Sequence, residues 1–158
     1  MLNPTACMVA TLMLVSGAAL AGQDDIILEV TGNITEGTVR LDREALQKLP
    51  RASLETSTVV TDGTHRFTGF LMRDLLGKLG AEGDEVIASA LNDYIVEIPM
   101  TDFTEFDVLV AYRMDGQPLH RNDKGPLWIV YPRDQHQALQ DIRYDYRWVW
   151  QLSRLEVQ

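Results

Sequence analysis

A single cysteine, Cys7, occurs in the 158 residues, and it stands inside an uncharged apolar leader, so the folding part of the chain has no thiol. Without a disulfide, this part must be held by packing alone, which requires a real core built from regular elements. Residues Met1 to Ala21 carry no charge, run apolar from Ala6 to Leu20, and end in Ala19, Leu20 and Ala21 before Gly22. That is an A-x-A cleavage pattern, so residues 1–21 read as a signal peptide and residues 22–158 as one domain exported to the periplasm. An uncleaved anchor is the competing reading, because the leader lacks Lys or Arg; Cys7 stands at the start of the apolar run and not at its end, which speaks against a lipoprotein. The 23 acidic and 14 basic side chains all lie beyond the leader and give a net charge of −9, which disfavours nucleic acid and anionic membranes as partners. His65, His120 and His136 are scattered without metal-ligand spacing.

The pattern beyond Gly22 is of short strands broken by short helices, an α+β, mainly β domain. Strands are expected at Ile26 to Val30, Val39 to Leu41, Ser53 to Val60, Val108 to Met114 and Trp128 to Tyr131. Val86, Ala88 and Ala90 alternate with polar neighbours, and after the bend at Asn92 and Asp93 a second alternation puts Tyr94, Val96 and Ile98 on one face. Asp42 is placed to cap a helix from Arg43 to Leu49, closed by Pro50. Leu71, Met72, Leu75, Leu76 and Leu79 form the apolar stripe of a second helix, stopped by Gly80. Trp148 to Val157 is the last ordered segment, with Trp148 and Trp150 on one face if it is a strand.

Five runs, in order, carry a resemblance: Phe67 to Leu76 (FTGFLMRDLL), Leu91 to Tyr94 (LNDY), Leu109 to Leu119 (LVAYRMDGQPL), Lys124 to Pro132 (KGPLWIVYP) and Tyr146 to Trp148 (YRW). Together they resemble the sulfite-oxidase-type molybdopterin-binding domain over roughly residues 55 to 157. The resemblance implies a single mainly β domain that holds a pterin between loops. In those enzymes a cysteine ligates molybdenum, and the matching place here, counted back without gaps from Gly69, falls near Ser57, between Thr56 and Thr58; a hydroxyl is no substitute for a soft thiolate. The enzymes' H-G-x-P-L-R pattern appears as Lys124 to Trp128, with Lys124 at the histidine and Trp128 at the arginine. No nucleophile with an adjacent His and carboxylate, Gly-rich phosphate loop or paired metal motif is present.

The runs Ala90 to Tyr94, Lys124 to Trp128 with Tyr131 and Pro132, and Arg147 to Leu152 are similar to the smaller PruR-type periplasmic proteins, which lack the metal-ligating cysteine. That likeness implies a non-catalytic protein that binds a reduced, unphosphorylated pterin without molybdenum. It also implies a partner, the periplasmic domain of a membrane-bound GGDEF/EAL protein, and so a role in cyclic-di-GMP signalling and biofilm formation. A molybdopterin-dependent oxidoreductase and an adaptor domain with an empty cleft are the alternatives.

The candidate pterin-binding residues are Asp93, Tyr94, Asp123, Lys124, Trp128, Asp145, Tyr146 and Arg147. A carboxylate accepts the two neighbouring N–H groups of a pterin's pyrimidine edge, which gives Asp93, Asp123 and Asp145 their interest. Trp128 offers a stacking face, Lys124 a donor to the ring carbonyl, and Tyr146 and Arg147 fall in a segment that wraps the pterin in the family. Each also has a plain structural reading: Asp93 as a turn residue, Tyr94 as packing beside Val96 and Ile98, and Lys124 as a solvated loop lysine.

Overall fold

The computed structural model describes residues 25–158; the expected signal peptide, with Cys7, lies outside the described residues. Two five-stranded sheets share one apolar core. The first runs in the order β2-β1-β10-β5-β6, from β1 (Leu28–Gly32), β2 (Thr38–Leu41), β5 (Glu85–Ala90), β6 (Ile95–Pro99) and β10 (Leu152–Val157). The second runs β3-β4-β7-β8 with β9 also paired to β7, from β3 (Arg51–Ser57), β4 (Thr64–Leu71), β7 (Leu109–Met114), β8 (Gln117–Pro118) and β9 (Trp128–Val130). Among the described residues no helix is long and apolar enough to cross a membrane.

The expected alternation holds in the first sheet. Val86, Ala88 and Ala90 of β5 and Val96 and Ile98 of β6 face the core, paired Val86 to Ile98 and Ala88 to Val96. Burying such side chains stabilises the fold by about 1.5–3 kcal/mol each for the larger ones. Tyr94 departs from that face. It precedes β6 and is 40 % exposed, because Asp93, at φ 64°, turns the chain through a left-handed residue before the strand begins.

Asp42 caps α1 (Arg43–Gln47), its Oδ1 accepting from Ala45 N at 2.8 Å, and Leu46 packs inward. In α2 (Met72–Lys78), Met72, Leu75 and Leu76 are buried as the stripe requires, but Leu71 belongs to the end of β4. Three 3-10 turns between Arg133 and Arg147 were not expected from the sequence, nor were one long strand and one α-helix. The strand is β4 itself, a central strand whose Gly69 is needed because a Cβ there would sit 1.9 Å from Val110 O across a register shift against β7. The helix is α3 (Met100–Glu105), which begins directly after Pro99.

Strand β3 ends at Ser57, three residues short of the expected Val60. Residues beyond it turn away, with Thr58 Oγ1 bonded to Thr61 Oγ1 at 2.7 Å and accepting from Val60 N at 3.1 Å. The two sheets are sewn together at the start of the last segment. Trp128 and Trp150 form an antiparallel bridge, Ile129 N donates to Val149 O and Leu152 N to Leu127 O, both at 2.9 Å. The chain thus pairs with β9 of the second sheet before it enters β10 of the first.

Candidate functional site

A cleft of about 240 Å³ opens at this seam, lined by Val59 and Val60 after β3, Asn92 and Tyr94 at the β5–β6 turn, and Asp145, Tyr146, Trp148 and Trp150 of the crossing segment. Both sheets and the connection between them therefore contribute. Its volume falls below the roughly 300–1,000 Å³ of pockets for drug-sized ligands, so it suits a small ligand. The walls are aliphatic and aromatic, and the polar groups are few.

Those few are specific. Tyr94 Oη donates to Tyr146 O at 2.6 Å, which ties the β5–β6 turn to the crossing segment. Burial, and after it the neighbouring Tyr146 phenol, pushes the Tyr94 hydroxyl above its ordinary value, so it stays a donor. Asn92 Oδ1 accepts from Tyr94 N at 3.2 Å. Asp145 Oδ1 and Trp148 Nε1 are both buried and, among the described residues, have no hydrogen-bond partner. A buried polar atom left unpaired costs on the order of 1–3 kcal/mol, and since solvent reaches neither atom, both lie behind the cleft surface and not on it. Among the described residues no lysine or arginine lines the cleft.

Tyr94, Asp145 and Tyr146 are thus brought together, and the other candidates are placed elsewhere. Trp128 is fully buried, its ring edge-on to Phe67 at 5.3 Å and to Trp148 at 6.5 Å, so the stacking face expected of it is not at the surface. The reason is its position at the head of β9, where it pairs with both Ala111 and Trp150. Its Nε1 is also unpaired, but Trp128 does not line the cleft. Asp93, a left-handed residue of the turn, lines instead a second, larger and more open depression of about 410 Å³, with Glu29, Ser89 and Arg154. Asp123 and Lys124 bond to each other at 2.9 Å, and the Lys124 ammonium lies 6.0 Å from the Trp128 ring centre, outside the cleft.

Arg147 turns inward. Its Nη1 donates to Asp102 Oδ2, to which Tyr131 Oη also donates at 2.8 Å, and its guanidinium lies 4.7 Å from the Tyr144 ring centre. Asp102 and Tyr131 are 4 % and 0 % exposed, so this is a buried ion pair whose carboxylate is compensated twice. Sequence reasoning also missed Val59, Val60, Asn92, Trp148 and Trp150 as cleft residues. The signal for the first two was an apolar pair in a Thr-rich stretch, hidden by extending the strand through them.

Near the place expected for the family's metal ligand, Ser57 N and Ser57 Oγ donate to the two oxygens of Asp134, each at 2.6 Å. Those bonds from Ser57, side chain first, hold the Asp134 carboxyl below its ordinary value, and Asp134 N in turn donates to Thr56 Oγ1 at 3.2 Å. A hydroxyl already donating to an anchored carboxylate is not a ligand for molybdenum, and a cleft without a cation offers nothing to a phosphate. The residues present do not fit the metal-bearing, phosphorylated cofactor.

The two-sheet fold with a small cleft at its seam defines a domain of the molybdopterin-binding class. The sequence matches the oxidoreductase molybdopterin binding domain family over residues 20–157, and the chain belongs to that family. Among solved structures it is similar to the sulfane dehydrogenase SoxCD from Paracoccus pantotrophus, with a TM-score of 0.63 at 18 % identity. That likeness covers 82 % of this chain but 37 % of the SoxCD chain, so the common ground is a fold. No curated protein matches the sequence.

Proposed function

We propose that this chain is a periplasmic pterin-binding protein, not an enzyme, that takes a reduced, unphosphorylated pterin without molybdenum. The observation that carries this reading is the cleft itself: aromatic walls, one carboxylate, Asp145, and no lysine or arginine among its described lining residues. A pterin's amino group and ring N–H are the donors such a carboxylate accepts, and its flat ring matches walls of Tyr94, Tyr146, Trp148 and Trp150. Ser57 in the place of the family's cysteine supports a ligand held without the metal.

The sequence runs shared with PruR-type proteins support a further step, in which the loaded protein acts on the periplasmic domain of a membrane-bound GGDEF/EAL protein and so alters cyclic-di-GMP turnover and biofilm formation. Anaerobic calorimetry with a tetrahydropterin tests the ligand: saturable binding at one site per chain is expected, and no heat or displacement at any concentration refutes the reading. The signalling step is tested separately, by measuring cyclic-di-GMP turnover in membranes containing the GGDEF/EAL protein. Turnover should change with pterin-loaded protein and stay at baseline with protein alone.

A further inference from the structure

We propose a second binding site, on the second sheet and away from the cleft, that takes a small tetrahedral dianion of the phosphate class through Arg51 and Arg113. A depression of about 240 Å³ there is lined by Gln47, Arg51, Tyr112 and Arg113, and among the described residues no carboxylate lines it. Arg43 lies in a small pit beside it that shares Gln47 and Tyr112. Arg51 opens β3 and Ser57 closes it, about 20 Å apart along the strand, and only beyond Ser57 does the chain reach the cleft residues Val59 and Val60. The two sites are therefore separate.

The sheet itself brings the two arginines together. Residues paired across antiparallel strands share a face, so Arg51, Phe70 and Val110 stand in line. In a regular strand Arg113 would point to the face opposite Val110. The register shifts between them, with Gly69 paired to Ala111 and Thr68 to Arg113, so Tyr112 is an extra residue in β7 and Arg113 returns to the face of Arg51. Arg113 Nη1 donates to Gly116 O at 3.3 Å, which steadies the guanidinium.

The chain has 23 acidic side chains to 14 basic ones, and Arg40, Arg73, Arg143, Arg147 and Arg154 each have a carboxylate partner. Among the described residues Arg43, Arg51 and Arg113 have none, although carboxylates are in excess. Two guanidinium forks, with the Gln47 amide and the Tyr112 hydroxyl beside them, supply the donors an oxyanion needs. A phosphoryl group brings about two negative charges and three acceptor oxygens to such a set, and a single carboxylate brings less of both. The overall charge of −9 repels polyanions, so the site suits a small anion and not nucleic acid.

Calorimetry at neutral pH with inorganic phosphate, glycerol 3-phosphate and succinate tests the site, on the intact protein and on Arg51→Gln, Arg113→Gln and Arg154→Gln. Both phosphates should bind saturably at one site per chain, with succinate at least about tenfold weaker. Arg51→Gln and Arg113→Gln should each weaken phosphate binding at least about tenfold, whereas Arg154→Gln, which removes a charge from the other sheet, should change it by less than about twofold. Arg51 is exposed, so its substitution reads the site without disturbing the core, and thermal midpoints show that all variants are folded. Tighter binding of glycerol 3-phosphate than of inorganic phosphate identifies a phosphate ester as the source of the anion, and the reverse identifies the free ion. No saturable binding of either phosphate overturns the proposal, as does binding that survives both Arg51→Gln and Arg113→Gln or falls equally in Arg154→Gln. Succinate bound as tightly as phosphate overturns the assignment to a tetrahedral dianion and points to carboxylates instead. None of these outcomes bears on the pterin reading.

Discussion

Asp102 and Asp145 both bear on the turn around residues 144–148, yet the first accepts from Arg147 and Tyr131 inside the protein while the second keeps a buried oxygen without a partner in the cleft. The difference separates two jobs carried by one short segment. Arg147 anchors the crossing segment to α3, and the residues on either side of it, Tyr146 and Trp148, face the cleft. An anchored segment can hold Asp145 unpaired, because the conformational freedom that would let its carboxylate find solvent has been removed. A buried oxygen left unsatisfied costs free energy, and the Asp102 carboxylate avoids that cost.

The comparison predicts unequal losses. Asp102→Ala leaves the Arg147 charge buried and unpaired, and chemical denaturation should show a loss of about 3–5 kcal/mol. A loss under about 1 kcal/mol would mean that the pair does not hold the segment. Asp145→Ala should do the reverse, leaving stability unchanged or slightly raised while weakening tetrahydropterin binding by about 1–3 kcal/mol, roughly 5- to 150-fold. Should Asp145→Ala destabilise as much as Asp102→Ala, the distinction between the two carboxylates collapses. Tyr131→Phe removes one of the two donors to Asp102 and should cost about 0.5–1.5 kcal/mol, and less when Asp102→Asn has already removed the charge that the phenol serves. An equal cost with and without Asp102→Asn would show that the two groups are not coupled.

The smallest effect is at the surface pair of His65 and Asp115, 2.6 Å apart, which marks the far end of β4 and bears on neither job. The Asp115 carboxylate is the main cause that raises the His65 imidazole, and the His65 contact is the main cause that lowers the Asp115 carboxyl. The histidine's contribution is therefore complete below its ordinary 6.5 and fades as pH rises through the elevated value, while the aspartate's is complete above its ordinary 3.8 and fades on acidification. An NMR titration should place the His65 midpoint above 6.5, and Asp115→Asn should bring it down. No change on that substitution would assign the shift to another cause. Ligand affinity should not follow this titration, since neither residue lines the cleft.

Much of this architecture was legible in the sequence because periodicity reports burial directly. The β5–β6 alternation, the Asp42 cap and the stripe of α2 all follow from local pattern. Strand β4 was not, since its core face is interrupted by Gly69, whose role is set by the backbone of β7 across the sheet. The site was legible only by residue type. Three of the eight candidates, Tyr94, Asp145 and Tyr146, meet in the cleft. Trp128, Asp93, Lys124, Asp123 and Arg147 were chosen for chemistry that would suit a pterin, but the partners that decide their placement are remote in sequence: Trp150 across the seam for Trp128, Asp102 on α3 for Arg147. Two carboxylates in polar bends read alike in sequence, and only tertiary placement puts Asp93 and Asp145 in different depressions.

The central claim is that this family member holds the organic ring without the metal. Protein isolated anaerobically from the periplasm of cells that make molybdenum cofactor should yield, by mass spectrometry of the released ligand and metal analysis of the same sample, an unphosphorylated pterin and no stoichiometric molybdenum. Recovery of molybdenum together with a phosphorylated pterin dithiolene would contradict it.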